Sequence, residues 1–368
     1  MINPDMPGFH PGGIKDRVDL RDHKWSEVGF GSAPFDWSGL GYSVEDELRL
    51  KLNNPSFKIP VKNQDGSGSC GGQAWSYYGG SLEALYTGSF EERSAKFIYA
   101  QTYVPGGGSA GRENSNIAIK QGWAKEAVLP SYDGGNPPSE AFMERSGDIT
   151  DVVRQDAVNA KAASYADVNQ DIDTIAQAVR DNHGVIIGVV GSNNATWYSI
   201  FPAPPTMAES RWYHWLYAGK ARMINGKKHI GVLNSWGPVV GENGWQWISE
   251  DYINAILLGD VYGKAIWSVW AMVYNTVIVP PTFTHNFSVN IAFSQSGNEV
   301  SALQKALQLD GEFPLGVPPT GYFGDITRRA VLAFQIKYQL DTPAVLNLLA
   351  GKSVGPKTRT KLNELFNK

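Results

Sequence analysis

One cysteine occurs in the chain, Cys70, and it stands in the glycine- and serine-rich stretch VKNQDGSGSCGGQAWS, residues 61–76. A free cysteine is only a few per cent thiolate at neutral pH, so nucleophilic chemistry needs a feature that lowers its pKa. A helix N-terminus is such a feature, because its unpaired N–H groups and its dipole favour an anion. The apolar residues that follow have helical spacing, so we predict a helix from about Cys70 to Gly88. The alternative is an inert thiol at the start of a buried helix.

A thiol nucleophile also needs a base, and two of the six histidines lie in strand-like sequence. His214 is in RWYHWLYAG and His229 is in KKHIGVLNSWG, where Asn234 is the amide that would orient an imidazole. If residues 228–236 form one strand, His229 and Asn234 point to opposite faces, whereas His214 on the preceding strand can face Asn234. If His214 lies directly opposite Asn234, the apex of the hairpin falls near Ile224, whereas Asn225-Gly226 is the preferred apex. We therefore predict a longer loop or a bulge between the strands.

The composition is that of a folded protein with more than one domain. Hydrophobic residues make up 42% and charged residues 18% of the 368 positions, and the net charge is −4. This charge gives no reason to expect nucleic acid or a membrane surface as a partner. One cysteine excludes an intramolecular disulfide and a zinc–thiolate site, and we expect no metal or cofactor. The apolar run at residues 265–279 is too short for a membrane span and indicates buried strands, and the N-terminal residues lack the apolar core of a secretory signal.

The pattern along the chain predicts an α+β fold followed by a small all-α domain. Helical spacing, as in SNIAIKQGWAKEA and DIDTIAQAVRDNHG, dominates up to Gly184, and short β-branched and aromatic runs follow. This change favours two lobes, one helical and one of antiparallel strands. Three more helical segments come after Pro280-Pro281. We therefore predict an N-terminal extension packed on the first domain (1–58), the first domain (59–279), a linker (280–297) and a three-helix domain (298–368).

The motifs VKNQDGSGSC, RWYHWLYAG, NSWG and GENGW, in this order, resemble those of the papain-like cysteine peptidases over roughly residues 59–272. In that family a histidine and an asparagine follow the cysteine by ~130–150 residues, and here the intervals are 144 to His214 and 164 to Asn234. The resemblance implies a papain-like two-lobe fold in which Cys70 attacks the scissile carbonyl, His214 transfers the proton and Asn234 holds the imidazole. It also implies that Gln64 and the Cys70 N–H bind the oxyanion.

The same resemblance implies roles for residues near the substrate. Trp236 of the NSWG motif would shield the hydrogen bond between the histidine and the asparagine from water. Gly107 and Gly108 would pair with an extended substrate, although a plain flexible loop explains these glycines equally well. Trp215 stands where the family has a small residue that lines a pocket. We therefore expect a narrowed pocket that prefers small substrate side chains.

The chain departs from the family pattern at three points. Gly71 follows the thiol where the family has a tryptophan, and Ser67 stands where a paired cysteine is common. No long inhibitory prosegment is visible, and we interpret residues 1–58 as the approach to the mature domain rather than as a propeptide. We expect packing, instead of disulfides, to stabilise the fold.

The last 71 residues, 298–368, resemble the three-helix peptidoglycan-binding domains of cell-wall enzymes. Matching positions include Leu303-Gln304, Phe323-Gly324 and Phe334-Gln335, most of which are architectural, whereas the insertion DTPAVLNLLAGKS departs from the family. No internal repeat is evident unless the two G-x-x-T-R steps, at Gly324 and Gly355, count as one. A module that docks onto another protein is the alternative for this domain.

These patterns together predict a monomeric cysteine endopeptidase that cuts protein or peptide substrates. We expect it outside the cell or at the cell surface, held at the bacterial cell wall by its last domain, which raises its local concentration near substrate. One alternative is a lytic enzyme that hydrolyses the peptides of peptidoglycan. Another is a non-catalytic pseudo-peptidase that binds the wall.

Overall fold

The computed structural model describes residues 12–16, 19, 22–25, 33–134, 138–206, 209, 211–274, 284–310, 312–313 and 319–366. The chain divides into two compact units, and the described residues up to Tyr274 form the first while those from Thr284 form the second. Part of the predicted N-terminal extension, including residues 1–11, lies outside the described residues, as do residues 280–283 of the predicted linker.

The helical half of the first unit is organised around one long buried helix, Cys70–Thr87. As predicted, it begins at Cys70, and it ends at Gly88, whose φ of +79° suits glycine at a helix end. The helix predicted at SNIAIKQGWAKEA is instead Gly111–Lys120, and Gly122, with φ +94°, turns the chain after it. The other helices of this unit are Val44–Lys51, Ala95–Thr102, Glu140–Met143, Asp151–Ala157, Ile172–Asp181 and Glu250–Ile253, with 3₁₀ turns at Ser146–Asp148 and Thr196–Tyr198.

The other half of the first unit is an antiparallel sheet. Its strands lie in the order Ala162–Asp167, Ile266–Tyr274, Val185–Ser192, Arg211–Ile224, Lys227–Leu233 and Trp245–Ser249, and Tyr42–Ser43 also pairs with Arg211–Ile224. The strand Val185–Ser192 is buried along its whole length, as its unbroken apolar run predicts. The predicted α+β class, with one helical and one antiparallel half, is confirmed.

The hairpin Arg211–Ile224 and Lys227–Leu233 contains both a tight apex and a bulge. Asn225 and Gly226 form the apex with φ of +50° and +76°, the left-handed pair that this type of turn requires. Farther along, the pairing register shifts between Ala218 and Lys220, so Gly219 is the extra residue of a bulge. The predicted bulge between the two strands is therefore confirmed.

This bulge decides which face of the sheet carries the candidate catalytic side chains. It places Tyr217 opposite Leu233, so the next residue, Asn234, falls on the same face as His214. Without the shift, Asn234 would lie opposite Tyr217, which points to the other face. One extra residue thus brings the imidazole and the amide together.

The second unit is mainly helical. Its helices Asn298–Asp310, Asp325–Lys337 and Pro356–Phe366 correspond to the three predicted segments. A fourth short helix, Pro343–Leu349, occupies the insertion, and Ile291–Ala292 pairs with Ser353–Val354. The sequence analysis predicted neither the fourth helix nor this pairing. A ladder of two residues has no alternating pattern that could reveal it. Among the described residues of both units, no helix is long and apolar enough to cross a membrane.

Candidate active site

A chain of buried amides leads from two backbone carbonyls to the imidazole of His214. The side-chain nitrogen Nε2 of Gln246 donates to Trp197 O at 2.8 Å and to Ser199 O at 3.0 Å. Carbonyl oxygens only accept, so the Gln246 amide must present its NH₂ group to them and its Oε1 to Asn234. Asn234 Nδ2 donates to that Oε1 at 2.8 Å.

The orientation of Asn234 in turn sets the tautomer of His214. Asn234 Oδ1 faces His214 Nε2 at 3.0 Å and also accepts from Ser235 N at 2.8 Å. An amide oxygen cannot donate, so Nε2 of His214 carries a proton and the neutral ring is unprotonated at Nδ1. His214 Nδ1 is buried and has no hydrogen-bond partner among the described residues. It is therefore the nitrogen that can exchange a proton with a thiol.

Two further features control the environment of the imidazole. The Trp236 ring lies over it, with a centroid distance of 4.8 Å and a tilt of 33°, which places an apolar face against the His214–Asn234 pair. Burial lowers the pKa of His214 to about 4, and the hydrogen bond that Nε2 donates to Asn234 offsets this only in part. The imidazole is thus neutral at physiological pH in this conformation.

Cys70 is fully buried at the first position of its helix. The backbone N–H groups of Trp215, Gly71 and Gly12 lie near the thiol and favour its charged form, so Cys70 lies beside the residue that follows His214. Burial outweighs these groups and raises the pKa of Cys70 to about 12. The helix N-terminus acts in the expected direction through the Gly71 N–H, but in the described conformation desolvation is the larger effect and the net shift of the pKa is upward.

The N-terminal residues Gly12–Ile14 are the cover over the thiol. Gly12 N donates to Tyr213 O at 3.2 Å, on the strand of His214, and Ser109 N donates to Gly12 O at 2.9 Å. Gly13 and Ile14 then pair in parallel with Ser109 and Ala110. This segment therefore runs between the strand of His214 on one side and Ser109 and Ala110 on the other, directly over Cys70.

Only glycine fits at the two covering positions. A methyl group at Gly12 would overlap the carbonyl oxygen of Gly68 and would lie 3.1 Å from Cys70 Sγ. A methyl group at Gly13 would lie 2.9 Å from His214 N. The close approach of backbone to thiol thus depends on two adjacent residues without side chains.

Polar contacts anchor the chain that follows the cover. The Arg112 backbone N–H donates to Asp16 Oδ1 at 3.0 Å, and Arg112 Nε donates to Asp22 Oδ1 at 2.9 Å. Trp25 Nε1 donates to Asn182 Oδ1 at 2.8 Å in a buried contact. Residues of the N-terminal segment therefore pack on the first unit, and some of them lie over the thiol.

Gln64 lies on the loop that leads to Cys70 and is fully buried. Ser235 Oγ donates to Gln64 Oε1 at 2.7 Å, which turns the amide nitrogen toward Ser67 O at 3.0 Å. The backbone N–H of Gln64 also donates to Ser235 O at 2.8 Å. The residue after Asn234 thus holds the predicted oxyanion donor.

The glycines Gly107 and Gly108 have φ of +100° and +98°. Gly108 makes a close backbone approach to the N-terminal segment, since a methyl group there would lie 2.6 Å from Gly12 O. Its N–H donates to Tyr99 Oη at 2.8 Å, and Tyr99 Oη in turn donates to Glu140. We call Gly107 and Gly108 the glycine wall. In the described conformation its Gly108 already contacts the backbone of Gly12 in the cover.

Glu140 connects that glycine wall to the loop of the thiol. Its Oε2 accepts from Gly68 N at 2.5 Å, while its Oε1 accepts from the buried Tyr99 hydroxyl. Ser67, where the resemblance leads one to expect a paired cysteine, instead hydrogen-bonds Gln64 O and Ser69 Oγ. A carboxylate–tyrosine link therefore joins Gly108 to the loop that leads to the thiol, in addition to the packing that we expected.

Trp215 lies beneath the glycine wall. Its indole is fully buried, packs edge-on against Trp75 at 5.3 Å and donates to Ser109 O at 3.0 Å. A methyl group at Gly71 would lie 3.5 Å from Trp215 Cδ1 and would overlap Ser109 Oγ. The indole of Trp215 thus fills space beside the position at which the family has its tryptophan. The narrowed pocket remains a prediction.

The structure brings Cys70, His214, Asn234 and Gln64 into one region, with Trp236 over the ring and the glycine wall beside the cleft. Sequence reasoning missed Gln246, Ser235, Tyr99, Glu140 and the Gly12–Gly13 cover. A polar residue within the apolar strand GWQWIS was a usable signal for Gln246, and the paired glycines of HPGGIK were one for the cover.

We predict that Gln246→Leu disturbs the tautomer of His214. Leucine leaves Asn234 Nδ2 without its acceptor, so the amide loses its fixed orientation, and unfolding should become easier by about 1–3 kcal/mol. Nitrogen-15 NMR of the imidazole should show the neutral ring protonated at Nε2 in the unsubstituted chain and a mixture of tautomers in the variant. Gln101→Leu, a matched change away from the ring, should leave the tautomer alone. A ring protonated at Nδ1 in the unsubstituted chain would refute the assignment.

Comparisons with known proteins agree with this architecture. Residues 296–345 match the family model described as "Putative peptidoglycan binding domain". No curated protein sequence matches the chain significantly. Among solved structures, xylellain, a cysteine protease from Xylella fastidiosa, superposes with a TM-score of 0.55 at 20% identity over 73% of this chain and 96% of that chain.

Two other cysteine proteases align less well. The bromelain protease from Ananas comosus gives a TM-score of 0.45 at 20% identity, over 64% of this chain and 99% of that chain. The ragweed pollen allergen Amb a 11, in its proform, gives 0.47 at 20% identity, over 67% of this chain and 71% of that chain. Sequence identity of 20% supports a statement about the fold alone. The assignment of a papain-like fold rests on the superposition with xylellain. The chain therefore combines a papain-like fold with a segment that matches a peptidoglycan-binding family.

Proposed function

We propose that the chain is a cysteine peptidase with Cys70 as nucleophile, His214 as acid and base, Asn234 as the residue that positions the imidazole and Gln64 as an oxyanion donor. The observation that carries the proposal is the amide chain that leaves His214 Nδ1 unprotonated, on the residue before Trp215, whose backbone N–H favours the thiolate of Cys70 at a helix N-terminus. The papain-like fold supports it, because the same fold holds the cysteine proteases to which the chain is similar.

The proposed reaction starts once water and substrate reach the thiol. Cys70 passes its proton to His214 Nδ1, and the thiolate attacks the carbonyl carbon of the scissile bond. As the tetrahedral intermediate collapses, the C–N bond breaks, and the leaving amine takes the proton from Nδ1. Water then attacks the acyl-enzyme with His214 as base, which releases the acid and restores the thiol. Gln64 and the Cys70 N–H stabilise the oxyanion in both halves, typically by about 3–4 kcal/mol for one donor.

We propose that the described conformation is a latent one. The thiol is protonated and the imidazole is neutral because both are desolvated, and these are the wrong charge states for attack. In addition, Gly12 N donates a hydrogen bond to the carbonyl of Tyr213, which is therefore not available to a substrate. Displacement of Gly12–Ile14 rehydrates both groups, which moves the two pKa values back toward each other. Substrate would then pair with the glycine wall at Gly107 and Gly108, in place of the cover.

The second unit supports a proposal about location. A match to a peptidoglycan-binding family indicates a role at the bacterial wall, so we place the enzyme outside the cell or at the cell surface, acting as a monomer on protein or peptide substrates and not on nucleic acid. We retain 1–58, 59–279, 280–297 and 298–368 as proposed boundaries of extension, peptidase, linker and wall-binding domain. The same match favours one other candidate function, hydrolysis of the peptides of peptidoglycan itself.

We predict that Gly12→Ala exposes the thiol. The added methyl group overlaps the Gly68 carbonyl, so the cover must leave the cleft, and iodoacetamide should label Cys70 at least tenfold faster at pH 8. Gly39→Ala is a matched control, since its methyl group would meet only Asp36 Oδ2 at 3.5 Å, and its labelling rate should equal that of the unsubstituted chain. Equal rates for all three chains would show that the cover does not limit access.

Acid alone should barely release the cover, because two shifts oppose each other. Burial holds the pKa of His214 at about 4, below its ordinary 6.5, so protonation of the released ring favours opening as the pH falls from 6.5 to 4. Burial raises the pKa of Asp16 to about 6 from 3.8, so protonation of the docked carboxyl favours closure over nearly the same range. The two shifts are similar in size and opposite in effect, so at pH 5 they largely offset each other.

Asp16→Asn removes the opposing effect and makes opening sensitive to acid. Labelling by 2,2′-dipyridyl disulfide, which reacts at acid pH, should be followed for both chains at pH 7 and pH 5. We expect the ratio of the variant rate to the unsubstituted rate to rise about tenfold on acidification. A ratio that does not change with pH would mean that Asp16 does not oppose release.

The choice between substrates is tested with the opened Gly12→Ala chain and the same chain carrying Cys70→Ala. We expect casein hydrolysis by the first and none by the second, because the thiol forms the covalent bond. Solubilisation of purified peptidoglycan that requires Cys70, without casein hydrolysis, would favour the lytic function instead. No turnover of either substrate would point to a pseudo-peptidase and contradict the proposal.

A further inference from the structure

Two buried glutamines of the second unit repeat the same hydrogen-bond pattern. Gln304 Nε2 donates to Tyr322 O at 3.0 Å and to Thr327 Oγ1 at 2.9 Å. Gln335 Nε2 donates to Ser353 O at 2.9 Å and to Thr358 Oγ1 at 3.0 Å. The sequence separations are 18 and 23 residues in both cases. The two G-x-x-T-R steps of the sequence therefore belong to an internal structural repeat.

The two glutamines differ in their side-chain oxygens. Gln304 Oε1 accepts from Gly321 N at 2.9 Å, whereas Gln335 Oε1 is buried and has no hydrogen-bond partner among the described residues. The carbonyl of Ser353 needs a donor, so the Gln335 amide cannot be turned round to exchange its oxygen and nitrogen. An unpaired acceptor at a side chain that is 3% exposed is costly unless a ligand or solvent supplies a donor.

The turn after the inserted helix explains why the second glutamine lacks the partner that the first one has. Residue 352 holds the position equivalent to Gly321 in the repeat. Ala350 and Gly351, with φ of +48° and +72°, end the helix Pro343–Leu349 and direct Lys352 N to Leu349 O at 2.9 Å. The N–H that would satisfy Gln335 is therefore used to terminate the helix.

Gln335 lines a surface groove of about 310 Å³, which is within the range of small-ligand sites. Leu340, Leu346 and Leu349 are among its apolar lining residues. The charged residues of its lining are Asp341 and Lys357, and these pair with each other at 2.7 Å. Gln335, whose side-chain oxygen lacks a donor, thus lies at an apolar groove in which no charge is left over.

We propose that this groove binds the acetamido group of an N-acetylated amino sugar. The amide N–H of the ligand donates to Gln335 Oε1, and its methyl group contacts the leucines. This inference rests on the proposed attachment to the cell wall and names the part of the wall that is recognised. An uncharged ligand fits a lining whose two charges are already paired, whereas a stem peptide of peptidoglycan would bring unpaired carboxylates into it.

The test uses the full chain with Cys70→Ala, so that it cannot digest itself. Calorimetry should detect binding of a β-1,4-linked N-acetylglucosamine tetramer and not of the same tetramer without its acetyl groups. In NMR spectra, the side-chain amide of Gln335 should shift on addition of the acetylated tetramer, while that of Gln304 stays in place. Leu349→Arg, at the groove, should weaken binding at least tenfold. Leu348→Arg, at a neighbouring residue that is 83% exposed and does not line the groove, should not.

Each other outcome overturns the inference in a recognisable way. If a stem pentapeptide binds and shifts Gln335 while the tetramer does not, the occupant is a peptide. If the chain sediments with purified peptidoglycan and Leu349→Arg changes nothing, the wall is bound elsewhere, and the proposed attachment survives without this groove. If the unsubstituted chain does not sediment with peptidoglycan at all, the proposed attachment itself fails.

Discussion

The backbone carbonyls of Trp197 and Ser199 can only accept hydrogen bonds, and the candidate site depends on this constraint. It fixes the amide of Gln246, which fixes Asn234, which fixes the proton on His214 Nε2. The side chains of Gln246, Asn234 and His214 are all buried, so water cannot substitute for a lost partner among them, and a reversed amide would leave two donors or two acceptors face to face. The carbonyls of Trp197 and Ser199 therefore decide, through Gln246 and Asn234, that Nδ1 is the imidazole nitrogen free to accept a proton.

Burial has two consequences at the same place. It makes the amide chain rigid, and it also suppresses the ionisation of both reacting groups, since the pKa of Cys70 rises to about 12 and that of His214 falls to about 4. Three backbone N–H groups, one of them Gly71 at the helix N-terminus, favour the thiolate but do not overcome desolvation. We propose that the cover formed by Gly12 and Gly13 blocks access to the thiol and also keeps Cys70 and His214 in unreactive charge states. Its removal would then restore access and ionisation together.

Much of the site could be predicted from the sequence. The helix from Cys70 to Gly88, the strands that carry His214 and Asn234, and the bulge between them all follow from local patterns. Gln246, Ser235 and Glu140 could not be assigned roles in this way, because each acts through a contact with a residue distant in the chain. Glu140, for example, follows Gly68 by 72 residues, and no periodicity marks such a contact.

The cover is the clearest failure of pattern reasoning, and its cause is physical. Gly12 and Gly13 have no side chains and so contribute nothing to an amphipathic pattern, yet their backbone alone fits between Gly68, Ser109 and the strand of His214. In the second unit the same limitation hid the repeat, because Gln304 and Gln335 look alike in sequence and differ only in how one turn uses a backbone N–H. In both cases the proposed function depends on backbone groups, which the sequence does not display.

The central claim is that Cys70 forms a covalent intermediate that His214 helps to make and break. Intact-protein mass spectrometry of the opened Gly12→Ala chain, quenched in acid shortly after mixing with a peptide ester, tests it directly. We expect one acyl group per chain, on the tryptic peptide that contains Cys70, and its accumulation when His214 is replaced by alanine should be much slower. Turnover of the ester with Cys70 unmodified throughout would contradict the account.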